Sequence, residues 1–145
     1  MVATQQNTSP EVNTQVDAVF VLSVRSFRDR IAHIERELRK HRIEFEWIFE
    51  YDADTLTPEL IESRFAPSDM GRPQQSLVLK HIETWKRCVE RGYRRVLVFE
   101  DDVILAPDFA QRFAAAIRAS ESIDQPYMLY LGCGDNKYPP LAQHP

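Results

Sequence analysis

Val96-Leu97-Val98-Phe99-Glu100-Asp101-Asp102-Val103-Ile104-Leu105 is an apolar run broken in its middle by three consecutive carboxylates. Residues 95–100 (RVLVFE) hold four consecutive apolar residues, Val96 to Phe99. Such a run reads as a strand buried on both faces, the kind found in parallel sheets. Successive strand side chains point to opposite faces, so Glu100 and Asp102 fall on one side and Asp101 on the other. Like charges side by side are costly at a buried strand unless something compensates them.

On either side of this run, strand and helix patterns alternate. Residues 16–24 (VDAVFVLSV) are apolar and β-branched, and predict a first buried strand. Ser26 stands as a helix N-cap with Asp29 three residues on. Phe27, Ile31, Ile34 and Leu38 then mark one apolar face of a helix ending near His41. Residues 44–51 (EFEWIFEY) alternate charged and apolar as a second strand. Thr57-Pro58 opens a short helix to about Arg64, and residues 66–73 (APSDMGRP) form a loop. A longer helix is expected from about Gln74 to Arg91, closed by Gly92, with Val78, Ile82, Trp85 and Val89 buried. Pro107 starts a helix with Phe109, Phe113 and Ile117 inside, and residues 127–131 (YMLYL) predict a fourth strand. The alternation defines an α/β domain with a mainly parallel sheet flanked by helices. Ligands in such sheets sit beyond the carboxyl ends of the strands. Two of those ends carry unusual chemistry: Ser23-Val24-Arg25-Ser26 after the first strand, and Glu100-Asp101-Asp102 after the third.

Length and composition set the frame. The chain has 145 residues, 43% hydrophobic and 28% charged, which suits one soluble domain with an ordinary core. A net charge of −4 argues against a general nucleic-acid binder. Cys88 and Cys133 lie in no metal or disulfide spacing. No apolar stretch approaches the ~20 residues of a membrane span. Met1 to Gln15 is a polar stretch without signal-peptide layout, expected as a disordered tail. The expected compartment is the reducing cytoplasm. Residues 25–42 hold seven Arg or Lys against three Asp or Glu, which leaves −8 for the rest of the chain. That basic helix has two readings: a solvated face laced with ion pairs, or a peripheral contact with anionic lipid at the inner membrane surface.

The acidic triplet likewise has two readings. It can be a solvated turn. It can also be a pair of convergent hard-oxygen donors for Mg²⁺ or Mn²⁺, bridging to a diphosphate and neutralising charge on a leaving group. In context the chain resembles the N-terminal part of glycosyltransferase family 25, the group that includes bacterial lipopolysaccharide and lipooligosaccharide glycosyltransferases. Three blocks carry the resemblance in order. They are Val19 to Arg30 with its Asp29-Arg30 pair, Leu79-Lys80-His81 with Trp85, and Val98-Phe99-Glu100-Asp101-Asp102-Val103 followed by Phe109.

The resemblance implies a GT-A-like (Rossmann-like) fold for nucleotide-diphosphosugars over residues 16–132, with residues 133–145 irregular. It implies inverting transfer of a hexose, galactose or glucose, from a UDP-sugar to a saccharide or glycolipid acceptor, with Mn²⁺ or Mg²⁺. Carried onto this sequence, Asp102 is the principal metal ligand and Glu100 its companion. Val24 lines the nucleotide pocket, and Arg30 lies near the diphosphate or braces an acidic partner. The full expected donor-binding set is Val24, Arg30, Asp54, His81, Glu100 and Asp101; no catalytic residue is assigned. The sequence also departs from the family pattern. Ser76, Leu77 and Lys80 replace the usual Gly-Cys pair and the Ser before the histidine, and Tyr51-Asp52-Ala53-Asp54 lacks a usual Gly. Family members continue past the fourth strand, so the domain is expected to be cut short, with the catalytic base elsewhere. The alternative function is a non-catalytic or degenerate donor-binding fragment.

Each remaining candidate has an ordinary role beside the functional one. His81 without the resemblance is a packing residue. Lys80 is a solvated helix lysine or a diphosphate contact. Asp52 and Asp54 are turn residues or a nucleoside contact. Cys88 is a small hydrophobe, and Cys133 has no partner for nucleophilic chemistry.

Overall fold

Ala18-Val19-Phe20-Val21-Leu22 forms the central strand, β1 (Ala18–Leu22), with every residue after Ala18 buried. A strand sunk this deeply must pair along both edges to satisfy its backbone. It does so in parallel. β2 (Glu46–Ile48) aligns Phe20 with Glu46 and Leu22 with Ile48. β3 (Val96–Glu100) aligns Ala18 with Val96 and Leu22 with Glu100. The order is β2-β1-β3. Helix α1 (Arg28–Lys40) joins β1 to β2. Helices α2 (Pro58–Arg64) and α3 (Arg72–Glu90) lie between β2 and β3, and α4 (Phe109–Ser120) follows β3. The structure is a computed structural model that describes residues 11–132.

Alternation along the strands divides the core in two. Val19, Val21, Leu97 and Phe99 face Ile34 and Leu38 of α1 and Phe109, Phe113 and Ile117 of α4. Phe20, Leu22 and Ile48 face the opposite side, where Leu77 and Cys88 of α3 and Tyr93 cover them. The sheet is therefore a middle layer, as the strand–helix alternation predicts. Each fully buried large side chain, such as Phe20 or Ile34, contributes about 1.5–3 kcal/mol of apolar transfer. Local signals act where the sequence places them. Thr57 Oγ1 accepts from the Leu60 N–H at 3.2 Å, with Pro58 in the first turn of α2. At the end of α3, Gly92 takes φ +67°. Its N–H reaches Val89 O and the Tyr93 N–H reaches Cys88 O, the paired bonds of a Schellman close.

Four expectations are corrected. First, Tyr127–Leu131 is not a strand: these residues are exposed and pair with no strand among the described residues. Apolar, aromatic composition fits a pleated surface but supplies no partner. A 2.7 Å hydrogen bond between Tyr127 Oη and Ser120 Oγ ties the segment's start to the end of α4. Second, α3 presents the reverse of its expected face. Gln75, Ser76, Leu79, Lys80 and Thr84 are buried, whereas Val78, Ile82, Trp85 and Val89 are exposed. Ser76 and Lys80 are hydrogen-bonded to the chain after β2 and Thr84 to the Lys80 carbonyl, which compensates their burial.

Third, Ser26 does not cap α1. Phe27 occupies the N-cap position without a side-chain bond and is exposed, because Val24 to Arg28 turns once before the helix begins. Fourth, residues 11–15 of the expected tail are ordered. Val12–Thr14 forms a 3₁₀ turn, Val12 enters the α1/α4 core, and Asn13 Oδ1 accepts from the Glu44 N–H at 2.9 Å. β1 and β2 are also shorter than their apolar patterns. Residues 1–10, the 133–145 segment and Cys133 lie outside the described residues.

Candidate functional site

Register builds the site. Leu22 lies opposite Glu100, so the next residues, Ser23 and Asp101, leave the sheet side by side. Ser23 Oγ donates to Asp101 Oδ2 at 2.5 Å, and both residues are buried. Arg30, one turn into α1, places a guanidinium nitrogen 2.7 Å from Asp101 Oδ1 and 2.6 Å from Asp102 Oδ2. Asp101 and Asp102 lie past the end of β3 and one Arg30 nitrogen reaches both, so they are not split onto opposite faces as strand alternation predicts; they differ in burial. Asp101 points inward and is satisfied by a hydroxyl and a guanidinium, while Glu100 and Asp102 face solvent. Asp101, placed in the donor-binding set by sequence, holds the end of β3 to β1 and α1.

Helix α1 grips the chain past the triplet with a polar stripe. His33 Nε2–H donates to Val103 O at 2.9 Å, and the Leu105 N–H donates to Glu37 Oε1 at 3.0 Å. Glu37 is buried. Lys40, bonded to its other oxygen at 2.8 Å, lowers its pKa from the ordinary glutamate value most, burial opposes this, and the Leu105 N–H adds to the lowering. Arg30, His33 and Glu37 recur at steps of 3 and 4, one face of a helix. Sequence reasoning took only the apolar stripe of α1 and so missed His33 and Glu37; the same spacing rule applied to polar residues finds them.

Beside the triplet, Ser26 to Arg30 line an open depression of about 440 Å³. Val24 is half-buried at the turn leading into it, and its carbonyl accepts from the Phe27 N–H. Arg25 places its guanidinium 4.7 Å from the Phe49 ring centroid, and its backbone N–H donates to Asp52 Oδ2 at 2.9 Å. Asp54 is exposed in the turn after β2, so Asp52 is the carboxylate that joins the β1 and β2 ends. Lys80, expected in solvent or on a diphosphate, is buried against Asp52. His81 stands on α3, across the sheet from α1, with its ring 6.1 Å from that of Trp85. The structure thus joins Arg30, Asp101 and Asp102 in one ion-pair cluster, with Glu100 at the end of β3 and Val24 in the turn after β1, and it places His81 on α3. Cys88 is half-buried, which pushes its thiol pKa up and suits a packing role.

Glu100 and Asp102 fit a hard divalent cation by donor chemistry: both offer oxygen and both are exposed. Among the described residues no group of three or more His, Cys, Asp or Glu is placed to hold a metal. A two-carboxylate set suits Mg²⁺-type ions, which complete their shell with water and substrate phosphates. Asp102 Oδ2 is at present shared with Arg30.

The chain is an α/β domain with a small parallel sheet flanked by helices, and acidic and basic groups stand at its strand ends. The family model for glycosyltransferase family 25 (LPS biosynthesis protein) matches residues 16–140, and the chain belongs to that family. It is similar to the lacto-N-neotetraose biosynthesis glycosyltransferase LgtB of Neisseria meningitidis serogroup B. The two are 29% identical over 104 residues, covering 66% of this chain and 36% of the relative. The lipooligosaccharide biosynthesis protein lic2B of Haemophilus influenzae is 27% identical over 100 residues, covering 66% of this chain and 37% of the relative. LgtE, a second lacto-N-neotetraose biosynthesis glycosyltransferase from the same Neisseria, is 28% identical over 102 residues. The chain thus spans little more than a third of the length of the curated relatives it matches. No helix among the described residues is long and apolar enough to cross a membrane.

Proposed function

We propose that this chain forms the donor-binding part of a GT-A-like hexosyltransferase of lipopolysaccharide biosynthesis. It takes galactose or glucose from a UDP-sugar, depends on a divalent metal and inverts the anomeric centre. The observation that carries this is at the end of β3: Asp101 is buried and satisfied by Ser23 and Arg30, which leaves Glu100 and Asp102 exposed, Asp102 beside Arg30 and the depression at Ser26 to Arg30.

The roles follow from that layout. Glu100 and Asp102 would hold Mn²⁺ or Mg²⁺, which when bound supplies charge neutralisation on the departing diphosphate. Arg30 pairs with Asp102 and orients it. Val24 and its neighbours wall the nucleotide, and the exposed Asp54 stands at the β2 end of that wall. In the transfer itself, an acceptor sugar hydroxyl attacks the anomeric carbon as the bond to UDP breaks. The hydroxyl proton passes to a carboxylate base. The acceptor is a saccharide, in keeping with the relatives' part in lipooligosaccharide assembly, and the protein works at the cytoplasmic side of the inner membrane.

Calorimetry of UDP with and without Mn²⁺ tests the reading. Wild type should bind UDP in a metal-dependent way, and Asp102→Ala should weaken that binding at least about tenfold. Metal-independent binding, or an unchanged affinity in the variant, overturns the assignment of the triplet.

A further inference from the structure

We propose that the buried Lys80–Asp52 ion pair is a positioning device for the donor site, fixing the turn after β1 at the Arg25 backbone and so setting how tightly the nucleotide is held. It rests on the donor-binding reading above.

The pair joins three elements. Lys80 projects from α3 with its side chain 3% exposed, and Asp52 follows β2 with its side chain 8% exposed. Lys80 Nζ donates to Asp52 Oδ1 at 2.6 Å and to Glu50 O at 2.7 Å. The second carboxylate oxygen of Asp52 accepts the Arg25 N–H at 2.9 Å. One turn before Lys80, Ser76 Oγ donates to Tyr51 O at 2.6 Å. Tyr51 itself holds φ +63°, a left-handed conformation that a bulky side chain adopts only when its surroundings impose it. Helix α3 therefore clamps Glu50, Tyr51 and Asp52 in one conformation, and Asp52 passes that constraint to Arg25.

The clamp meets the site at its edge. The turn it holds begins at Ser23, which bonds Asp101, and runs through Val24 into the depression at Ser26 to Arg30. The turn is thus pinned at Ser23 to the acidic triplet and at Arg25 to α3. Stability alone does not require charges here. An apolar pair of similar volume commonly holds two elements together as well as a buried ion pair does. An apolar pair cannot accept the Arg25 N–H. That acceptor is what Asp52 supplies, and Lys80 compensates the buried charge of the carboxylate.

Two double variants test this, each read by amide exchange at Arg25 and by calorimetry of UDP with Mn²⁺. K80M/D52L should keep the fold, seen as unchanged protection at Val21 in β1. It should lose protection at the Arg25 amide and bind UDP roughly tenfold more weakly, the usual scale when a group orienting a site is removed. K80Q/D52N retains an acceptor for Arg25 in a neutral hydrogen-bonded pair. It should keep Arg25 protection and UDP affinity within about threefold of wild type. Unchanged Arg25 exchange in K80M/D52L overturns the proposal. So does lost Arg25 protection with unchanged UDP affinity, and so does loss of Val21 protection, which would make the pair a support of the whole domain. A wild-type chain that does not bind UDP overturns the donor-binding reading instead, and Arg25 exchange alone then decides whether the clamp exists.

Discussion

Arg30 lies 2.7 Å from Asp101, and the two differ sharply in exposure: the arginine side chain is 42% exposed and the aspartate 6%. The buried member of the acidic triplet is thus matched by a cation reaching in from solvent, with Ser23 satisfying its second oxygen. This pairing lets β3 end in three carboxylates without leaving a buried one uncompensated. It also assigns different work to neighbouring residues of the same type.

Substitution should separate those two kinds of work. Asp101→Ala leaves the Ser23 hydroxyl and one bond of Arg30 without their partner. It is expected to cost about 1–3 kcal/mol, measured by urea denaturation. Asp102 has a side chain 65% exposed, and its pair with Arg30 is screened by water. Asp102→Ala should therefore cost less than about 1 kcal/mol. Similar losses in the two variants would contradict the inward and outward division of the triplet.

Glu37 gives the fold an acid-sensitive contact. Its hydrogen bond with Lys40 lowers its pKa below the ordinary value of 4.5 most, burial acts the other way, and the Leu105 N–H adds to the lowering. A carboxylate lowered in the folded state stabilises above its unfolded pKa and loses that contribution as pH falls through the folded value. Glu37→Gln should be less stable than wild type at pH 7 by about 1–2 kcal/mol. The difference should narrow as pH drops below about 4.5. Denaturation midpoints at pH 7, 5 and 3.5 check this; a constant gap would show that the charge of Glu37 contributes nothing.

The sheet and most helices were legible because their signals are local. The apolar runs at 18–22 and 96–100, Thr57-Pro58 and Gly92 act within a few residues of themselves. The buried face of α3 was not legible, since Ser76 and Lys80 turn inward only where Glu50, Tyr51 and Asp52 offer partners 25 to 30 residues away, and Thr84 turns inward by bonding the Lys80 carbonyl of its own helix. Tyr127–Leu131 failed as a strand for the related reason that composition does not supply a pairing edge. At the site, alternation holds only to Glu100, where β3 ends; Asp101 and Asp102 follow in a turn and share one Arg30 nitrogen. The Ser23 and Arg30 bonds to Asp101 depend on the β1–β3 register, which no single stretch of sequence contains.

Helix α2 should depend on its cap to an unusual degree. None of its residues is fully buried, so tertiary packing contributes little, and Thr57 Oγ1 satisfies the Leu60 N–H. Thr57→Ala is expected to cost about 1 kcal/mol locally. Amide exchange within residues 58–64 should accelerate while the β1 amides keep their protection. An effect spread evenly over the chain would mean that α2 unfolds only with the whole domain.

The inverted face of α3 makes a sharper test of the fold. Leu79 is buried beneath the helix, while Val89 is 82% exposed near its end. Leu79→Ala removes packed atoms and leaves a cavity, so it should cost about 2–5 kcal/mol. Val89→Lys adds a charge where solvent already reaches and should change stability by less than about 0.5 kcal/mol. A face chosen by apolar periodicity alone, through Val78, Ile82, Trp85 and Val89, predicts the opposite ranking. Paired urea titrations of the two variants distinguish them, because a helix rotated to bury Val89 would tolerate alanine at Leu79 and reject lysine at Val89.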